Sequence, residues 1–130
     1  MTKKELSQLC HLKNEARELN NHIKMLENAA TKSPQTLTGM PHPAGFSDKV
    51  GIYAAQISDL KKELEKKLYE CYREFVRLNR YIENVDDSQM RTILALRYVK
   101  CLSWQKIAYE IGEHDEQYPR RKHNVFLRKN

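Results

Sequence analysis

Apolar and small residues recur at steps of three and four along two stretches of this chain, and nothing else in the sequence restricts its fold so much. In the first stretch Leu9, Leu12, Ala16, Leu19, Ile23, Leu26 and Ala30 follow one another without a miss. In the second, Val50, Tyr53, Ile57, Leu60, Leu64, Leu68, Cys71, Phe75, Leu78, Ile82 and Val85 do the same. Residues three and four apart share one face of a helix, so each stretch reads as a helix with a coiled-coil-like seam. Lys13, Glu15, Arg17, Glu18 and Lys24 fall on the opposite face of the first helix, so its stripe is narrow and needs a covering partner. The successive steps of four at Leu60, Leu64 and Leu68 interrupt the heptad, which locally unwinds a supercoil.

Between the two stretches, TKSPQTLTGMPHPAGFS at 31–47 holds three of the four prolines and two of the four glycines, a composition that reads as a connector. Helices are therefore expected at about 3–30 and 48–84, the second capped by Ser47 or Asp48 and on the order of 55 Å long at 1.5 Å per residue. Two helices of similar reach joined in this way predict a long antiparallel hairpin over 1–85, with a second copy of the chain, as a homodimer, to cover the remaining apolar edge. In the connector, Met40, His42 and Phe46 either pack on the hairpin end or form a partner-binding tip. Charged residues at 31%, with so few Gly and Pro, suit solvated helices rather than a sandwich of sheets, and the expected class is all-α.

At Val85, Asp86, Asp87 and Ser88 the pattern breaks into capping residues, and a second domain is expected over 86–130. Its first helix carries Met90, Ile93, Leu94, Leu96 and Val99 and ends near Lys100 or Cys101. Ser103 then caps a short helix whose inward face is Ile107, Ala108 and Ile111, and Gly112 supplies the turn after it. The third helix starts either after Asp115 or at Pro119, since proline fits a first turn whose N–H groups lack partners. A short helix, a glycine turn and a basic helix are the parts of a DNA-binding helix-turn-helix, with Leu96, Ile107, Ala108, Ile111, Gly112 and Val125 as its core and turn.

The charge distribution agrees. Residues 1–90 carry 14 Lys and Arg against 13 Asp and Glu, whereas residues 91–130 carry 9 against 4. From Arg120 onward there are only cations: Arg120, Arg121, Lys122, Arg128 and Lys129. That is the electrostatic footprint of a phosphate-binding surface. Gln117, Arg120, Arg121, Asn124 and Arg128 share one face of the last helix, while Tyr118, Val125 and Phe126 point inward. Arginine pairs with guanine O6 and N7 and asparagine with adenine N6 and N7, so Arg120, Arg121 and Asn124 are the expected base contacts. Lys122, His123, Arg128 and Lys129 are expected on phosphates.

The block RTILALRYVKCLSWQKIAYEIG resembles the promoter-binding region 4 helix-turn-helix of bacterial sigma factors. With the leading hairpin, the TGMPHPAGFSDKVG connector and the YPRRKH ending, the chain resembles small phage and prophage regulators related to the RinA and ArpU late-gene activators. The resemblance implies a transcriptional activator of phage genes working with host RNA polymerase. Cys101 departs from it, standing where the sigma pattern has glycine; so does Lys122, in place of a buried aliphatic residue; and EHDEQYP lengthens the second turn.

Two other functions fit the same parts: a sigma-like adaptor that docks on polymerase without DNA, and a small terminase-like packaging protein. Glu110, Glu113, Asp115 and Glu116 beside the turn would weaken the approach of DNA, which leaves room for the adaptor. No nucleophile-base pair, carboxylate pair or glycine-rich phosphate loop points to an enzyme. Cys10, Cys71 and Cys101 are far apart without a CxxC and read as reduced, partly buried thiols. The histidines lack metal-ligand spacing, so neither cofactor nor metal is expected. No apolar run approaches the ~20 residues that span a bilayer, and residues 1–12 are charged early, which predicts a cytoplasmic protein of the bacterial host cell.

Overall fold

A computed structural model describes residues 1–31 and 44–129. The protein is all-α: α1 Lys3–Leu6, α2 Gln8–Thr31, α3 Ala44–Glu83, α4 Ser88–Leu94 continued by a π-helical turn Ala95–Val99, α5 Trp104–Glu110 and α6 Gln117–Lys129. No strand occurs among the described residues. No described helix is long and apolar enough to cross a membrane. Residues 32–43 lie outside the described residues, as do the side chains of 44–49, and the expectations placed on Met40, His42 and Phe46 fall there.

Local chemistry sets several helix ends. Thr2 and Glu5 close a reciprocal capping box, Glu5 N donating to Thr2 Oγ1 and Thr2 N to Glu5 Oε2, each at 3.2 Å. The Ser7 hydroxyl donates to Lys3 O at 2.8 Å, a local bond that competes with the ladder where α1 gives way to α2. α3 starts at Ala44, ahead of the Ser47 or Asp48 cap expected from sequence. No proline stands between Ala44 and Asp48, so nothing there interrupts a helical backbone.

Two compact units form, Met1–Lys13 with Glu70–Asn130, and Asn14–Tyr69. The boundaries of these units fall elsewhere than the division at residue 85 expected from sequence. The first unit's core joins Leu6 and Leu9 to Leu78, Ile82 and Val85 and to Met90, Ile93, Leu94, Tyr98 and Ile107. Both ends of the long helices thus supply apolar surface that the short C-terminal helices need, each buried aliphatic side chain contributing roughly 1.5–3 kcal/mol. Polar contacts reinforce them: Arg77 Nη2 donates to Glu5 O at 3.3 Å, and the Lys13 ammonium donates to Val99 O at the end of the π turn.

The second unit is the hairpin. Glu15 pairs with Lys67 at 2.7 Å and Glu27 with Lys61 at 3.6 Å, an order that runs the two helices antiparallel. Such exposed pairs set register more than stability, at less than ~1 kcal/mol each. Ala16 and Ile23 are buried, and Tyr53, Ile57, Leu60 and Leu64 half-buried, along the expected seam. Beyond Leu64 the seam departs from the sequence reading. Lys67 is half-buried and Leu68 is 52% exposed; further along α3, within the first unit, Glu74 is half-buried and Phe75 is exposed. Keeping the strict heptad after Leu64 selects Lys67, Cys71 and Glu74, and it turns Leu68, Tyr72 and Phe75 outward.

Candidate nucleic-acid interface

Asp87 starts α4: its carboxylate accepts from Gln89 N at 3.0 Å, so of the capping residues at 86–88 it is the one that serves as N-cap. The helix does not stop cleanly. Lys100 N donates to Ala95 O and Leu102 N to Leu96 O, both at 3.0 Å, which widens the last turn and turns Tyr98 into the core. Cys101 closes that turn at φ 59, a left-handed conformation that glycine adopts far more readily. Arg97 holds the exit, donating to Leu102 O at 2.9 Å with its guanidinium 4.5 Å over the Trp104 ring.

Ser103 caps α5, accepting from Lys106 N at 3.3 Å, and Ile107 and Ala108 are buried beneath it. Leu96 and Ile111 are half-buried against the same core. Gly112 ends the helix at φ 80, with Glu113 N reaching back to Ala108 O at 2.8 Å, a Schellman closure. Asp115 then accepts from Gln117 N at 2.9 Å, so α6 starts after Asp115, and Pro119 lies buried in its first turn. Of the two starts left open by the sequence, the earlier holds.

α6 is fastened by its inner face. His123 is wholly buried, its ring 4.9 Å from that of Trp104 and 5.5 Å from that of Tyr98. Its Nδ1 lies 3.0 Å from Asn124 Oδ1 and its Nε2 2.5 Å from the Tyr98 hydroxyl. With a carboxamide oxygen as acceptor, Nδ1 carries the proton and Nε2 accepts from Tyr98. Burial holds His123 below the usual histidine range, and burial pushes the Tyr98 phenol up to about 12, so both stay neutral. Next to it, the Lys122 ammonium lies 2.8 Å from Asp87 and donates to Gln89, which also accepts from the Tyr118 hydroxyl at 3.0 Å. The hydrogen bond from Lys122 holds the Asp87 carboxyl below its ordinary value.

These contacts correct three expectations. His123 cannot reach a phosphate, because it is enclosed by Tyr98 and Trp104. Lys122 is turned toward α4, where Asp87 neutralises it. Val125, expected inside, is 42% exposed, because the inward face is centred on Pro119, His123 and Phe126. That phase was present in the sequence as steps of four and three, hidden by reading a histidine as a surface cation.

On the outer side Arg120, Arg121, Arg128 and Lys129 are exposed and Asn124 is half-buried, its oxygen held by His123. Arg121 pairs with Asp115 at 2.5 Å, and Arg128 Nε donates to Asn124 O at 3.5 Å. Sequence reasoning passed over the solvated face of α5, where Gln105 and Lys106 are exposed and Tyr109 is 83% exposed. An aromatic that open, beside a lysine, is detectable only once the helix phase is known. Among the described residues no group of three His, Cys, Asp or Glu could hold a metal ion.

Cys10 and Cys101 form a disulfide with Cα atoms 5.9 Å apart, and Cys71, which is outside that bond, is half-buried. The expectation of three separate thiols is corrected: α2 and the turn before α5, 91 residues apart in sequence, lie side by side.

Residues 44–128 match the family described as DUF1492, protein of unknown function, and the chain belongs to that family. No curated protein and no solved structure matches the chain.

Proposed function

We propose that this member of the DUF1492 family is a sequence-specific, double-stranded-DNA-binding regulator, with α5 and α6 as its helix-turn-helix. The observation that carries the reading is the two-sidedness of α6. Its inner face is tied down by His123 and Lys122, which leaves Arg120, Arg121, Arg128 and Lys129 toward solvent with no acid on the helix itself. A rigid helix with a cationic outer face suits a major groove, which admits a helix and offers acceptor edges to arginine and asparagine. Arg120, Arg121 and Asn124 are assigned to bases, Arg128 and Lys129 to phosphates. The likeness to sigma region 4 and to late-gene activators supports regulation of phage or prophage genes, acting with host RNA polymerase. The exposed Leu68, Tyr72 and Phe75 on α3 support a homodimer through the hairpin helices.

Fluorescence anisotropy of the full chain on duplex DNA from upstream of its own operon tests the reading. Binding at ~10⁻⁸ M or tighter is expected, weakened at least ~10³-fold on a scrambled duplex. Equal affinity for both would overturn it. The adaptor reading is favoured by one observation: Glu110 and Glu116 are exposed, and Asp115 already engages Arg121, which lowers the positive field beside the turn. Capture of RNA polymerase in the absence of DNA, together with no preference for the cognate duplex, would select it.

A further inference from the structure

We propose that Cys101 is a site of reversible modification by low-molecular-weight thiols and disulfides, with Cys10 as its resolving partner, so that oxidation fastens α2 to the turn before α5. Three observations carry this. First, the pair is preformed by the packing of the first unit: Leu6 and Leu9 on one side and Tyr98 and Ile107 on the other belong to one core, which sets the two cysteine backbones at bridging distance. Second, the two residues differ in exposure. Cys101 is exposed, whereas Cys10 is half-buried, so an incoming disulfide meets Cys101 first.

Third, the Cys10 sulfur has a second partner besides Cys101, and Cys101 is ill-suited to its position without a reason. A thiol at Cys10 has an acceptor waiting, since Tyr98 O lies 3.4 Å from its sulfur and the carbonyls of a helix end lack helical partners. The reduced chain therefore keeps a satisfied thiol there. Cys101, at φ 59, holds a backbone conformation in which a side chain is strained and glycine is not. A side chain kept at such a place, opposite a second cysteine, is explained by the chemistry of its sulfur.

The balance is that of thiol–disulfide exchange. The Cys101 thiolate attacks a small disulfide such as oxidised glutathione, forming a mixed disulfide and releasing one thiolate of the small molecule. The Cys10 thiolate then attacks the Cys101 sulfur, the Cys10–Cys101 bond forms, and the second small thiolate leaves. The protein gives up two electrons and two protons in all, and the small disulfide is reduced to two thiols. Excess reduced thiol reverses both steps.

The test equilibrates the full chain in glutathione buffers of graded ratio, blocks thiols by alkylation, and reads modified residues by peptide mass spectrometry. Cys10 and Cys101 are expected to lose and regain alkylation together as a two-electron couple, and Cys71 is expected not to follow that couple. In Cys10→Ser the glutathione adduct should accumulate at Cys101. In Cys101→Gly, which removes the sulfur and relieves the left-handed strain, no adduct should accumulate at Cys10. Amide exchange of residues 3–12 should slow at least tenfold on oxidation of the parent chain and be insensitive to the buffer in Cys101→Gly. Independent alkylation of the three cysteines, an adduct mainly on Cys10, or exchange that still responds to oxidation in Cys101→Gly would each overturn the proposal. None of these readouts involves DNA, so they stand or fall apart from the reading of α6.

Discussion

With its imidazole enclosed between Tyr98 and Trp104, His123 must be neutral for the core to stay closed, and stability should register that. Burial lowers its folded value below the 6.5 of the exposed group, so near and below that pH the unfolded chain binds more protons than the folded one. The contribution is fully present above about pH 6.5 and is lost as the pH falls toward the folded value. Urea melts of the parent chain and of His123→Gln, at a series of pH values from 7.5 to 5.5, should show the parent's advantage shrinking toward acid. A constant difference would remove His123 as the titrating group. The two cations on α6 that the structure treats differently allow a second comparison. Arg128→Ala should weaken DNA binding on every sequence and lower the slope of log affinity against log salt by about 1. Lys122→Met, which keeps the half-buried stem and loses the bond to Asp87, should leave that slope unchanged.

Among the elements, the helix starts and turns were the most legible part, because each is written in a few adjacent residues. Asp87, Ser103, Gly112 and Asp115 all do in the structure what their residue types announce. The glycine makes a quantitative case. A methyl group added at Gly112 meets nothing within 4 Å, so only the backbone at φ 80 resists it. Gly112→Ala should therefore cost about 1 kcal/mol, with the denaturant dependence unchanged. Less legible were the features that depend on which neighbour covers a face. Leu68 and Phe75 continue a run of apolar residues, yet the heptad set by Leu60 and Leu64 places Lys67 and Glu74 at half-buried positions instead. His123 was misread for the opposite reason, since a residue type common on surfaces fell in the inward phase of Pro119 and Phe126. The π turn was not legible at all: residues 95–99 are ordinary helix formers, and only the bonds from Lys100 and Leu102 show the wider ladder. Cys10 and Cys101 likewise carry no local sign of each other, because their meeting depends on long-range packing.

For the whole molecule, the surprise is where independence lies. The sequence divides at the capping residues 86–88, and that is where a helix-turn-helix would be cut from its neighbour. The core crosses the cut: Leu6, Leu9, Leu78, Ile82 and Val85 all lie before it, and Met90, Ile93, Leu94 and Ile107 after it. Removing the first group would strip that core of five of its buried side chains at roughly 1.5–3 kcal/mol each. Such a loss is comparable with the whole stability of a small domain, about 5–15 kcal/mol. A fragment of residues 86–130 should accordingly show no cooperative unfolding transition. A chain that joins residues 1–13 to 70–130 through a flexible glycine-serine linker, and so keeps the first unit entire, should unfold cooperatively and retain the DNA preference of the full chain. Thermal melts followed by circular dichroism, with anisotropy on the same duplexes, decide it. If the short fragment melts cooperatively and binds as the parent does, the ends of the long helices are dispensable to the C-terminal module and the shared core is of no consequence to it. If only the linked chain does so, the hairpin of residues 14–69 is a separate device, and its exposed apolar side chains are to be explained by what the regulator assembles with rather than by how it reads DNA.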